Sequence, residues 1–155
     1  MGVKTGFTSK AGRCLVSAVE RENMTVVCVV LNCGPMFEES ANLLNQAFDN
    51  YKNVELLKSY NNICSIPVED GEKNKVRVYN PCGFCYPLTN EEQANVYVDY
   101  DLPNQLKAPI KAEQKVGVAK VYFKDKLLFE TDVLAMEDIK SDAVVSKIKE
   151  IVEKF

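Results

Sequence analysis

Two short groups of residues carry side chains suited to chemistry. Cys82-Gly83-Phe84-Cys85 has the spacing of a redox dithiol or of half a zinc site. Lys4-Thr5-Gly6 sets a cation, a hydroxyl and a residue without a side chain side by side, directly ahead of a hairpin pattern. The chain has no histidine, which removes Ser-His-Asp and Cys-His nucleophile activation, His-containing zinc sites and His-based pH switches. A base must therefore be Lys, Asp or Glu. No second Cys-x-x-Cys completes a zinc site, and Pro81 and Pro87 bracket the first one between strands. A thioredoxin-type thiol instead needs a helix N-terminus inside a βαβ unit. A local disulfide and inert thiols both stay open for Cys82 and Cys85. No metal and no cofactor is expected.

The elements that would position these groups follow from hydrophobic spacing. The runs 14–19 and 25–31 are apolar and partly β-branched, and polar residues 20–23 join them as an antiparallel hairpin. The second run is apolar at nearly every position, as in a strand covered on both faces. Phe37, Ala41, Leu44, Phe48 and Tyr51 recur at helical spacing, with Glu38 and Glu39 in the first turn. That helix covers one face of the hairpin and leaves the other without a partner in this chain. Residues 53–75 turn polar and suggest a domain boundary. Short strands then follow around Val76, Val96, Val116 and Leu127, with Lys124-Asp125-Lys126 as a tight turn. Ile139, Val144, Ile148 and Phe155 line up as one face of a terminal helix. Its polar face mixes acids with lysines, which favours a docked helix over a membrane-surface segment.

With 155 residues, 46% of them hydrophobic, the chain can fill a core, and six cysteines are too few for a disulfide scaffold at that length. Cys14, Cys28 and Cys33 are expected to pack as small apolar groups. A net charge of −3 with interspersed lysines excludes a nucleic-acid footprint. No apolar run reaches the roughly 18 residues of a membrane span, and the first residues do not open as a signal peptide.

The stretch from Gly2 to Val16 resembles the G-x-K-T-G-x-T-x-x-A-G segment of the serine-type D-alanyl-D-alanine carboxypeptidases, low-molecular-mass penicillin-binding proteins. The hairpin, the helix and the β part follow in that family's order. Residues 95–102, 106–110 and 116–117 resemble the β domain that accompanies the carboxypeptidases and not the β-lactamases. The resemblance implies an α+β fold: the hairpin and helix of a β-lactamase/transpeptidase-like domain (1–57), a small antiparallel β-sandwich domain (58–136) and an amphipathic terminal helix (137–155).

It also implies roles. A peptide ending in D-Ala-D-Ala docks along the strand of Lys4, Thr5, Gly6, Phe7 and Thr8, where Gly6 allows close approach of the two backbones. Thr5 offers its hydroxyl, and Lys4 its charge, to the peptide's terminal carboxylate. Phe7 donates its backbone N–H to an oxyanion hole, and Thr8 supports the strand. The family's S-x-x-K nucleophile and S-x-N serine precede this strand, so neither is expected in this chain, which should be inactive alone. Ser146-Lys147-Ile148-Lys149, Ser40-Ala41-Asn42 and Ser59-Tyr60-Asn61 match these patterns in the wrong order and are read as decoys. Some members carry an arginine near the start of the helix, whereas residues 32–37 here are uncharged.

The expected function is removal of the terminal D-Ala of peptidoglycan stem peptides through an acyl-enzyme, outside the cytoplasm at the cell wall or membrane. Stem peptide, β-lactams and the absent N-terminal catalytic region are the expected partners, with membrane proximity through the terminal helix. A noncatalytic module that binds or positions at the cell wall is the alternative.

Overall fold

The structure is a computed structural model that describes residues 2–142 together with Lys147 and Val152. The chain divides into two units, Met1–Val54 with Cys85–Ala94, and Glu55–Phe84 with the remainder from Asn95.

In the first unit, β1 (Gly2–Thr8), β2 (Gly12–Arg21) and β3 (Met24–Val30) form an antiparallel sheet in the order β1-β2-β3. Glu22 and Asn23 both adopt positive φ, 50° and 60°. This two-residue turn matches the twist of the strands it joins. Side chains alternate across the sheet. Leu15, Cys28 and Val30 are buried in one cluster with Leu44 of helix α1 (Met36–Asn50). On the other face Val16, Val27 and Val29 are 42%, 60% and 56% exposed. The helix has no side-chain cap at its start, and Glu38 and Glu39 in its first turn complement its dipole. Its buried stripe is rotated from the expected one. Ser40 and Leu44 face the sheet while Phe37 stays exposed, because the Ser40 hydroxyl bonds to that of Ser17 at 2.6 Å in the interior.

The remaining strands are β4 (Lys52–Leu57), β5 (Asn62–Glu69), β6 (Lys75–Tyr79), β7 (Phe84–Leu88), β8 (Val96–Asp101), β9 (Leu106–Lys107), β10 (Lys115–Phe123) and β11 (Lys126–Ala135). β4 pairs with β7, and the other six form one sheet in the order β8-β10-β11-β6-β5-β9. All pairings in that sheet are antiparallel except β5 with β9. Ile66, Val68, Val76, Val78, Val121 and Val133 make the core of the second unit. Gly117 sits at a bulge in β10, where a Cβ would lie 2.3 Å from the carbonyl oxygen of Asp101.

The α+β expectation is corrected. Among the described elements there are eleven strands and one α-helix, so the chain is mostly β. The second unit is built on a single six-stranded sheet instead of a sandwich, because Leu134 and Ala135 of β11 pair with Tyr79 and Val78 of β6 and so join two hairpins edge to edge. The terminal helix is also corrected at its start. Residues 136–142 are not helical, and Ile139, 1% exposed, exchanges both backbone hydrogen bonds with Ile110. Asp142 N–H bonds to the Asp70 carbonyl. Backbone groups committed to these bridges cannot open a helix. Most of the remaining expected helix, with Val144, Ile148 and Phe155, lies outside the described residues. Among the described residues no helix is long and apolar enough to cross a membrane.

Candidate functional site

Among the described residues β1 is an edge strand, bonded to β2 alone, and every one of its residues is exposed. The register pairs Lys4 with Val16, Thr5 with Leu15, Gly6 with Cys14 and Phe7 with Arg13. Partners in an antiparallel pair share a face. Thr5, Phe7 and Arg13 therefore lie on the face of Leu15, toward α1, and Lys4 and Gly6 lie on the opposite face. The Lys4 ammonium donates back to the carbonyl of Thr5. Phe7 is 73% exposed. Thr8 accepts the N–H of Ala11 through its hydroxyl, which closes the turn into β2.

Gly6 does not need to be glycine for the packing of this chain. A Cβ there would meet only the Cβ of Cys14, at 3.9 Å, an ordinary contact. Gly12 differs: its φ is +68°, and a Cβ would come 2.1 Å from Oδ1 of Asn32. That lock continues into Arg13, whose carbonyl accepts the N–H of Cys33 at 2.9 Å. Thr5, Gly6, Phe7, Arg13 and Met36 line one open cleft of about 360 Å³. The sequence reading passed over Arg13. Its signal was available, since a hairpin whose turn is Ser9-Lys10-Ala11 sets residue 13 opposite residue 7.

Of the three serines read as decoys, one lies among the described residues of the first unit. Ser40 is buried in α1 and bonded to Ser17. Ser59 belongs to the second unit, and Ser146 lies outside the described residues. All six cysteines are free thiols. Cys28 is buried, while Cys82 and Cys85 are exposed. Among the described residues no cluster of three or more His, Cys, Asp or Glu could hold a metal ion.

Residues 51–141 match the family described as penicillin-binding protein 5, C-terminal domain, and residues 1–34 match the D-alanyl-D-alanine carboxypeptidase family. The chain is 27% identical over 96% of its length to D-alanyl-D-alanine carboxypeptidase DacD of Salmonella typhimurium, covering 39% of that protein. It is 26% identical over 96% of its length to D-alanyl-D-alanine carboxypeptidase DacF of Bacillus subtilis, again covering 39%. The crystal structure of penicillin binding protein 5 from Haemophilus influenzae superposes with a TM-score of 0.62 at 26% identity, over 90% of this chain and 43% of that one. The chain thus spans about two fifths of the length of the curated relatives it matches. An edge strand bearing Lys4-Thr5-Gly6 falls in the carboxypeptidase match, the six-stranded sheet falls in the C-terminal-domain match, and the chain belongs to the penicillin-binding protein 5 family of D-alanyl-D-alanine carboxypeptidases, of which it covers the C-terminal part.

Proposed function

We propose that β1 is the substrate-binding strand of a serine-type D-alanyl-D-alanine carboxypeptidase that trims the terminal D-Ala of peptidoglycan stem peptides outside the cytoplasm. The observation that carries the reading is Gly6 on a wholly exposed edge strand, where the chain's own packing does not demand a glycine. An extended peptide adds to such an edge through main-chain hydrogen bonds, and the missing side chain lets its backbone approach. Thr5 and Lys4 present a hydroxyl and a charge to the peptide's carboxylate end, Phe7 lends its N–H to the developing oxyanion, and Thr8 fixes the turn.

The acylating serine is supplied by a part of the enzyme upstream of Lys4. Its hydroxyl attacks the carbonyl of the penultimate D-Ala, free D-Ala leaves with the proton, and water hydrolyses the ester. β-Lactams acylate the same serine.

Covalent labelling by a fluorescent penicillin tests this reading, applied to the 155-residue chain and to the product of its gene extended upstream. Label on the longer product alone is the expected result. Label on the 155-residue chain would place the nucleophile among Ser40, Ser59 and Ser146, and label on neither would favour a noncatalytic wall-positioning module.

A further inference from the structure

We propose that the cleft of Tyr60, Tyr79, Ala112, Glu113 and Met136 binds a saccharide, with one pyranose ring lying on the Tyr60 ring and a sugar hydroxyl donating to the Glu113 carboxylate. The site stands apart from β1, since every residue lining it belongs to the second unit.

Two turns supply its walls. Tyr60 lies in the turn between β4 and β5, and Glu113 in the turn that enters β10. Both carry positive φ, 53° and 64°. Glycine, asparagine and aspartate suit that region, whereas a bulky aromatic there is costly. Such residues persist where the surroundings over-determine them, a condition common at ligand clamps. The surroundings here do so. The N–H of Tyr60 bonds to the carbonyl of the buried Asn80 at 2.8 Å, and that of Glu113 to the carbonyl of Ala135 at 2.8 Å. Ala112 N–H is held by Oδ1 of Asp138 at 2.7 Å, and Met136 N–H by the Arg77 carbonyl at 2.9 Å.

The chemistry follows from what these turns present. The Tyr60 ring stacks on that of Tyr79, with centroids 5.8 Å apart and planes 20° from parallel, yet Tyr60 stays 72% exposed. The pair forms a flat shelf beside an open cleft of about 340 Å³. An aromatic face is apolar with a negative quadrupole, and the axial C–H groups of a pyranose are apolar and weakly positive, so the two lie flat on one another. The Glu113 carboxylate makes no ion pair among the described residues and is free to accept a hydroxyl. No cation is among the residues that line the cleft, which disfavours an anion. Two nearly parallel rings also do not surround an ammonium as an aromatic cage does. A neutral polyhydroxy ring uses both the shelf and the acceptor.

Calorimetric titration of the product of the gene extended upstream tests this, with chitotetraose and cellotetraose as probes. Both offer pyranose rings, and only the first carries acetamido groups, so their ratio separates an N-acetylated glycan from a plain glucan as the source. Saturable binding of at least one, with a Kd on the order of 1 mM or tighter, is expected. Tyr60→Ala should weaken it about 10-fold, Tyr60→Phe should bind like the parent because it keeps the ring, and Glu113→Gln should weaken it about 10-fold through loss of a charged acceptor. Circular dichroism spectra matching the parent establish that the variants are folded. Failure to bind either oligosaccharide overturns the proposal, and so does unchanged affinity in folded Tyr60→Ala or Glu113→Gln. Binding of butylammonium with neither saccharide overturns it too, in favour of a cation site. Penicillin labelling of the same parent reports separately on β1, so failure here is distinguished from failure of the substrate-strand reading.

Discussion

Single side chains decide more of this structure than their exposure suggests. Asn80 is 1% exposed, and its amide donates to the carbonyls of Lys58 at 2.8 Å and Cys82 at 2.9 Å, while its own carbonyl takes the N–H of Tyr60. Replacing it with Leu removes both side-chain bonds. Asn80→Leu should cost about 2–4 kcal/mol in urea unfolding, well beyond the ordinary worth of one hydrogen bond. The hydroxyl pair of Ser17 and Ser40 makes the same point in reverse. Either single change to Ala leaves one buried hydroxyl without a partner and should destabilise by about 1–3 kcal/mol, whereas the double change should fall below the sum. A double-mutant cycle in urea measures the difference. None of these three roles could be read from sequence, because Asn80 and Ser40 sit in patterns that otherwise mark a loop and a solvated helix face. Lys4, Thr5 and Gly6 stand out in the sequence only through the flanking stretch from Gly2 to Val16, since the bare triplet is a weak signal.

At the scale of elements, the hairpins were readable and the long polar stretch was not. The turn at Lys124 and Asp125 separates β10 from β11 as expected, with Lys124 at φ 51°. β5 was missed because Pro67 and Ser65 interrupt its apolar residues, although Ile66 and Val68 alternate into the core. Ile139 had the spacing of a helix face and instead bridges to Ile110, a tertiary pairing that local periodicity cannot report. Two tests belong here. Gly117→Ala drives a methyl into the Asp101 carbonyl on the neighbouring strand, so it should destabilise by more than the roughly 1 kcal/mol of ordinary backbone effects, seen as a lowered urea midpoint. Glu137 is held below its usual pKa first by its hydrogen bond to Lys73, with Arg77 adding charge. Its pKa is lower folded than unfolded, so the stabilisation is present above the unfolded value and disappears as pH falls through the folded one. Lys73→Gln should therefore lower the thermal midpoint slightly at pH 7, and the difference should shrink as the pH is lowered below the usual carboxylate range.

For the whole molecule, family and C-terminal position could be read from the order of motifs, while the proportion of strand to helix could not. The α+β expectation counted a terminal helix beside α1 and missed strands in the polar stretch, and the strands of the described residues outweigh α1. The open sheet face of Val16, Val27 and Val29 has a practical side. Three β-branched side chains in a row on an uncovered sheet act as an adsorbent patch. The isolated chain should bind strongly to a phenyl resin in ammonium sulfate, a salt that strengthens apolar association. Val27→Lys with Val29→Lys should make it elute earlier, and equal retention of both forms would mean that the patch is shielded in solution. Purification behaviour, chosen for convenience at the bench, thus becomes a direct reading of which surface this chain leaves wet.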